Sequence, residues 1–206
     1  MISFGGEMSM NSKVLFDLDG TITKKEVLPI IAKEVGLYEE IRILTESTIR
    51  GIIPFHESFI KRVELLKDIP VEKVQDIVLN VPLNNKIVEF IRENKDDCYI
   101  VTGNLDVWVD PLCKQIGVKS YTSQAEVKNG YIDKVTSVLE KGKIARGINA
   151  RTIAVGEGNN DAEMIKEADV GIAYGGVHTP AKSVMTYASH AIYEEEQLCR
   201  FLRQLL

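Results

Sequence analysis

Cysteine is scarce. Cys98, Cys113 and Cys199 are odd in number and far apart, which excludes a paired disulfide framework and shows no zinc-ligand spacing. They read as reduced, packed thiols. Basic charge is also in short supply: 25 lysines and arginines face 30 acidic residues, a formal net charge of -5. A dominant nucleic-acid partner is therefore not expected, although one small phosphate in a local basic pocket is compatible with this balance. No apolar run approaches a membrane span, and the opening "MISFGGEMSMNS" lacks the basic and apolar regions of a secretory leader. The expectation is a cytoplasmic enzyme with no membrane partner, and Met8 and Met10 leave room for an N-terminal extension or a later start. The single tryptophan, Trp108 in "LDVWVDPL", reads as packing. His56, His178 and His190 are scattered without metal-ligand spacing. Repeats and low-complexity linkers are missing too.

What is present is ordinary for a folded protein of one sizeable core: 45% apolar and 27% charged residues over 206 positions. Short apolar runs ending in polar or glycine-rich turns recur at "KVLFDLDG", "CYIVTGN", "RTIAVGEGNND", "DVGIAYGG" and "HAIYE". Helix-patterned stretches such as "PLNNKIVEFIREN" and "NDAEMIKEA" lie between them. This alternation predicts an α/β fold, a parallel sheet covered by helices on both faces, with ligands beyond the carboxyl ends of the strands. The alternation is interrupted at residues 25–80 by a helical block with no evident strand. Pro54 and Pro70 stand where helices start, Gly36 and Gly51 where they stop. The block reads as a small helical subdomain inserted into a core formed by residues 1–24 and 81–206.

Chemistry concentrates at the strand ends. In "VLFDLDGTIT", Asp17 and Asp19 are two apart in an extended segment, so they share a side and repel unless a cation or a proton intervenes. Gly20 permits a sharp turn, and Thr21 and Thr23 are candidate caps for a following helix. Asp-Gly after a strand also makes an ordinary turn, so the other strand ends must decide. "VTGN" offers the Thr102 hydroxyl and the Gly103 N–H to phosphate oxygens. "VGEGNND" adds Glu157 and Asp161, enough carboxylate to complete an oxygen-ligated Mg²⁺ site. Lys134 is expected to open the helix leading into that strand, where it would neutralise a transferring phosphoryl group.

The ordered set "DLDGT", "TGN", a lysine and "GEGNND" resembles the four motifs of the haloacid dehalogenase superfamily, in particular its phosphoserine phosphatase branch. The resemblance covers nearly the whole chain after Lys13. It implies a Rossmann-like three-layer core with a helical cap, and hydrolysis of a phosphomonoester through an aspartyl-phosphate on Asp17. Asp19 would act as acid and then base, and Mg²⁺ would bind Asp17, the Asp19 carbonyl and Glu157, with Asp161 completing the acidic set. Thr102, Gly103 and a lysine would hold the phosphate. Lys134, Lys141 and Lys143 compete for that role. Counting back without gaps from "AVGEG" favours Lys134, which leaves the other two as solvated surface.

The cap carries the substrate information. Phe55 and Arg62, seven apart in "PFHESFIKRVELL", share a helix face with Phe59, Val63 and Leu66. An arginine on such a face either snorkels to water or is held for an anion. The resemblance assigns Arg62 to a substrate carboxylate, Phe55 to shielding the site, and Glu26 to a substrate ammonium. It also places Asn104 and Asn160 in the substrate-binding set. The implied substrate is a small phosphorylated metabolite, an amino-acid phosphate such as phosphoserine. Two departures stand out. Glu157 replaces an aspartate, and its extra methylene displaces the carboxylate by about 1.5 Å against Mg²⁺ bonds of about 2.0 to 2.1 Å. Asn104 replaces a small residue. Rival readings are a phosphatase or phosphotransferase for another small phosphate, and a weakened relative that only binds its ligand. The sequence leaves the oligomeric state open.

Overall fold

A computed structural model describes residues 11–49 and 52–206. Gly51 and the first ten residues, including Met8 and Met10, lie outside them. The chain opens with β1 (Ser12–Phe16) and then runs through four helices, α1 (Val27–Glu34), α2 (Tyr38–Ile49), α3 (Phe55–Leu66) and α4 (Val71–Leu79). Next come α5 (Asn85–Glu93), β2 (Cys98–Leu105), α6 (Asp106–Ile116), β3 (Lys119–Lys128) and β4 (Tyr131–Ser137). The last part comprises α7 (Lys141–Gly147), β5 (Arg151–Gly156), α8 (Ala162–Glu167), β6 (Val170–Tyr174), α9 (Lys182–Tyr187), β7 (His190–Ile192) and α10 (Glu195–Leu205).

The seven strands form one sheet in the order β4-β3-β2-β1-β5-β6-β7. All neighbours are parallel except β3 and β4. Alternate residues of β1 serve opposite faces. Val14 and Phe16 pack with α5, α6 and α10 through Phe90, Leu112 and Leu198, and Leu15 packs with α7, α8 and α9 through Ala145, Met164 and Val184. Burying each such large side chain contributes about 1.5 to 3 kcal/mol, so both layers are held by β1 itself. This is the expected three-layer α/β/α arrangement. The chain leaves β1 towards β2 but leaves β5 towards β6, so a crevice opens beyond the carboxyl ends of β1 and β5. Asp17 follows β1 and Glu157 follows β5.

The hairpin β3–β4 was not expected. Its turn is Asn129–Gly130, with φ of 53° and 83°, the left-handed pair that two-residue hairpins favour. The helical block follows its expected pieces, with Pro54 and Pro70 immediately before α3 and α4. Its entry and exit lie side by side: Thr23 bridges Leu83, Lys24 N donates to Pro82 O at 2.7 Å, and Asn84 N donates to Ile22 O at 2.8 Å. α4 packs on α1 and on α6, where Gln75 Nε2 donates to Val107 O at 2.7 Å. Cys98, Cys113 and Cys199 are buried and free, and Trp108 is fully buried. Among the described residues no helix is long and apolar enough to cross a membrane.

Gly117 ends α6 with φ of 90°, a conformation that strains any residue carrying Cβ, whereas the Gly147 backbone is unstrained and both positions face open space. Gly117→Ala is therefore expected to lose about 1 to 2 kcal/mol, and Gly147→Ala to lose nothing. Urea denaturation of the two variants checks this.

Candidate active site

Asp17 leaves the end of β1 with its N–H donated to Val155 O at 2.9 Å, which ties the residue to β5. A wide turn, Leu18–Ile22, follows. Gly20 has φ of 69°, and a Cβ there would collide with the Glu157 carboxylate and the His178 ring. The turn thus needs glycine both for its backbone and for the room that Glu157 occupies. Neither threonine caps α1, contrary to expectation. Thr23 Oγ1 turns back to Leu18 O and Lys25 O, while Thr21 Oγ1 is buried without a partner. Asp19 caps the helix instead, its Oδ1 accepting the N–H of Val27, the first residue of α1, at 2.7 Å.

Lys141, not Lys134, is the lysine of the site. It opens α7, is 4% exposed, and its Nζ donates to Asp17 Oδ1 and, at 2.6 Å, to Asp161 Oδ1. Lys134 stands on β4, exposed and paired with Glu126 at 3.1 Å. The gap-free count failed because "AEVKNGYIDK" is a strand, an Asn-Gly turn and a second strand. That hairpin places Lys134 at the sheet edge and leaves the helix start to Lys141. The Asn-Gly pair between alternating segments was the signal available in the sequence. Lys143 is solvated, as expected, with Glu140 at 2.7 Å.

Asp161 is expected as a metal ligand, but both of its oxygens are engaged. Oδ1 holds Lys141, and Oδ2 accepts the N–H groups of Glu157 at 2.9 Å and Gly158 at 2.8 Å. It anchors the lysine and the loop after β5. Asn104 also binds within the protein: its Nδ2 donates to Asp19 Oδ2 at 2.5 Å and to Thr102 Oγ1 at 3.2 Å. Thr102 is fully buried behind it. Ser123 Oγ donates to Gly103 O at 2.7 Å and fixes the end of β2.

These elements enclose a cleft of about 870 Å³. Asp17, Asp19, Glu26, Phe55, Arg62, Gly103, Asn104, Glu157 and Asn160 all line it, and Thr102, Lys141 and Asp161 lie behind. Phe55 reaches across from α3 so closely that a Cβ on Gly103 would stand 2.8 Å from its ring. Arg62 is 7% exposed, with Cζ 5.8 Å from the Phe55 ring centroid and 6.0 Å from that of Phe59. Its Nε donates a long hydrogen bond of 3.3 Å to Ser58 O, and among the described residues no carboxylate pairs with it. The guanidinium stays in the cleft and is not released to water. Burial lowers its pKa, against the pull of Glu26 and Asp19.

Negative charge dominates the rest. Five carboxylates, Asp17, Asp19, Glu26, Glu157 and Asp161, face two cationic groups, Lys141 and Arg62. Asp161 and Asp17 outweigh burial at Lys141 and keep it protonated. Burial raises the Asp19 carboxyl, opposed by the Val27 N–H, Lys141 and Asn104. Burial, then Asp19, pushes Glu26 up to about 8, and burial, then Glu26, pushes Glu157 up to about 8. The Glu157 carboxylate is 6% exposed and accepts no hydrogen bond among the described residues. A buried, unpaired carboxylate beside four others suits a divalent cation with oxygen ligands. His178, which sequence spacing gave no reason to single out, lines the same cleft beside Glu157 and Glu26; only the folding of a distant loop brings it there.

Comparison with known proteins agrees with this geometry. The family of haloacid dehalogenase-like hydrolases matches residues 14–166. The chain belongs to it. It is 30% identical to a phosphoserine phosphatase of Methanocaldococcus jannaschii, covering 93% of this chain and 96% of that one. It is 28% identical to one from Streptococcus thermophilus, covering 78% and 82%. A solved phosphoserine phosphatase carrying an analogue of a phospho-aspartyl intermediate superposes with a TM-score of 0.76 at 29% identity, over 91% of this chain and 97% of that one. A substrate-bound phosphoserine phosphatase gives 0.78 at 28% identity, over 95% and 99%.

Removing Lys141 leaves Asp17 and Asp161 buried and unpaired. Lys141→Ala is expected to destabilise the fold by about 3 to 5 kcal/mol, whereas Lys134→Ala stays within about 0.5 kcal/mol; chemical denaturation compares them. A second expectation concerns pH. The folded pKa values of Glu26 and Glu157 lie near 8, above the ordinary 4.5. Their protonated forms favour the fold, so their stabilisation is full below pH 4.5 and is lost as pH rises through 8. Thermal melts of cation-free protein should fall across that window, less so in Glu26→Gln, and recover when a divalent cation is added.

Proposed function

We propose that the protein is a Mg²⁺-dependent phosphomonoesterase that works through an aspartyl-phosphate on Asp17, with O-phospho-L-serine as substrate and L-serine and phosphate as products. The observation that carries the reading is Asp17 held at the end of β1 by buried Lys141, beside Asp19 and in the cleft that contains Arg62 and Glu26. Lys141 takes one oxygen of Asp17 and leaves the other for phosphorus. A carboxylate is a weak nucleophile, so alignment and charge neutralisation must supply most of the acceleration. Asp17, the carbonyl oxygen of Asp19 and Glu157 would hold Mg²⁺, which when bound neutralises phosphate charge. Thr102 and Gly103, at the end of β2, accompany Lys141 as phosphate-binding groups.

Asp19 is the acid and base. Both of its oxygens are fixed, one by Val27 N–H and one by Asn104, so the carboxyl is positioned before substrate arrives. It delivers a proton to the leaving alkoxide of serine, then takes one from the water that hydrolyses the aspartyl-phosphate. Such proton transfer contributes about 10² to 10⁴ in rate. Residues 25–80 serve as the cap: Phe55 closes over Gly103 and limits water access, and Asn160 lines the opposite wall.

Substrate choice follows from the two charged groups that the reaction itself does not need. Arg62 is buried, cationic and unpaired, suited to a bidentate carboxylate. Glu26, whose carboxyl is pushed up to about 8 by burial and by Asp19, gives up its proton to become a partner when an ammonium stands beside it. Together they select a zwitterion carrying a phosphate, within a protein expected in the cytoplasm. The likeness to phosphoserine phosphatases over nearly their full length supports the same choice.

Arg62→Ala should raise KM for phosphoserine by about 30- to 10³-fold, the worth of a charge-assisted pair of about 2 to 4 kcal/mol. It should change KM for an aryl phosphate without a carboxylate far less. Equal effects on the two substrates would remove the carboxylate role. Asp17→Asn should abolish turnover of both, and product analysis with added alcohols should find phosphate, not a new ester.

A further inference from the structure

The nitrogen donor in the cleft has no part in the chemistry above. His178 lies in the segment between β6 and α9, and that segment is clipped to the loop after β5 by Ala181 N donating to Glu157 O at 2.8 Å. The clip brings the imidazole against Gly20 and next to the Glu157 carboxylate. One ligand atom each from Glu26, Glu157 and His178 lies within 4.8 Å of the other two. Donors on opposite sides of one ion with bonds of about 2.0 to 2.2 Å stand about 4 Å apart, so small side-chain rotations close the set. Glu157 also meets the requirement that a real site makes of its centre, being 6% exposed, without a hydrogen-bond partner among the described residues, and directed at the other two.

We propose that Glu26, Glu157 and His178 form a second cation position, sharing Glu157 with the Mg²⁺ set, that takes a transition-metal dication of the Mn²⁺, Co²⁺ or Zn²⁺ class. The donor set decides the class. Mg²⁺ prefers oxygen in near-ideal octahedral order and keeps several waters, whereas an imidazole with two carboxylates suits the borderline transition metals. Asp19 does not compete for this ion through its side chain, because Val27 and Asn104 hold both of its oxygens, and Asp17 is not part of the group of ligand atoms that lie within 4.8 Å of one another. The longer arm of Glu157 is what lets one carboxylate serve both positions. An ion here occupies Glu26, so it competes with the substrate ammonium and inhibits turnover. That consequence rests on the amino-acid phosphate reading; the binding itself does not.

The test is a Co²⁺ titration of the full-length, Mg²⁺-saturated protein, read by visible d–d absorption. A band that saturates near one equivalent is expected, weakened at least about tenfold in affinity by His178→Ala. The imidazole is exposed, so the substitution leaves the fold intact, as circular dichroism will verify. Phosphoserine should displace the cobalt. No band in the wild-type protein, or a band indifferent to His178→Ala, overturns the site. If the band depends on His178 while phosphoserine neither turns over nor competes, the cation site stands and the substrate reading falls.

Discussion

Everything in the cleft depends on one buried cation between two carboxylates. Lys141 sits between Asp17 and Asp161 with almost no exposure. Taking such charges out of water carries a penalty of several kcal/mol per ion, recovered only when geometry and further hydrogen bonds are good. Here they are. Asp161 accepts two backbone N–H groups from the loop after β5 as well as the lysine, so the triad joins the end of β1, the start of α7 and the turn that carries Glu157. One ammonium therefore sets the direction of the Asp17 carboxylate and, through Asp161, the course of the loop that carries Glu157.

Charge also couples the core to the inserted helices. α1 starts on Asp19, whose carboxylate accepts the first N–H of the helix, where the dipole favours an anion. Glu26 immediately precedes that helix, so the residue suited to a substrate ammonium is placed by the residue suited to acid–base work. Arg62 has lost most of its water and gained one long hydrogen bond to Ser58 O and two aromatic neighbours, Phe55 and Phe59, stacked on each other with centroids 5.7 Å apart. Cation–π contact of this kind offsets part of the desolvation. The remainder is not offset by any carboxylate among the described residues, which sets this arginine apart from the ion pairs on the protein surface.

The parallel core was legible because its strands are continuous apolar runs that end in polar turns, as at "CYIVTGN" and "RTIAVGEG". The four helices between β1 and α5 were legible, with Pro54 and Pro70 before two of them and Gly36 after one. The β3–β4 hairpin was not, since its exposed positions Glu126, Lys128 and Tyr131 dilute the apolar signal, and with it went the register that separates Lys134 from Lys141. The acids after β1 and β5 could be read from spacing. Their partners could not: Asn104 to Asp19, Asp161 to the β5 loop and His178 to Glu157 are contacts that exist only once separate strand ends meet.

Glu157 shows how the fold accommodates a long acidic side chain at a charged centre. The extra methylene finds space over Gly20, the one residue of the turn without a Cβ and with φ of 69°. Gly20 is required by the turn in any case, so the room is already present and the backbone of the β5 loop, pinned by Asp161, need not retreat. The displacement is therefore absorbed by direction, with the carboxylate leaning across the turn towards Glu26 and His178. The Glu157 carboxylate thereby stands within 4.8 Å of ligand atoms of Glu26 and His178. The length and direction of one side chain thus decide which groups share charge across the cleft, while the sheet that positions them follows its apolar pattern.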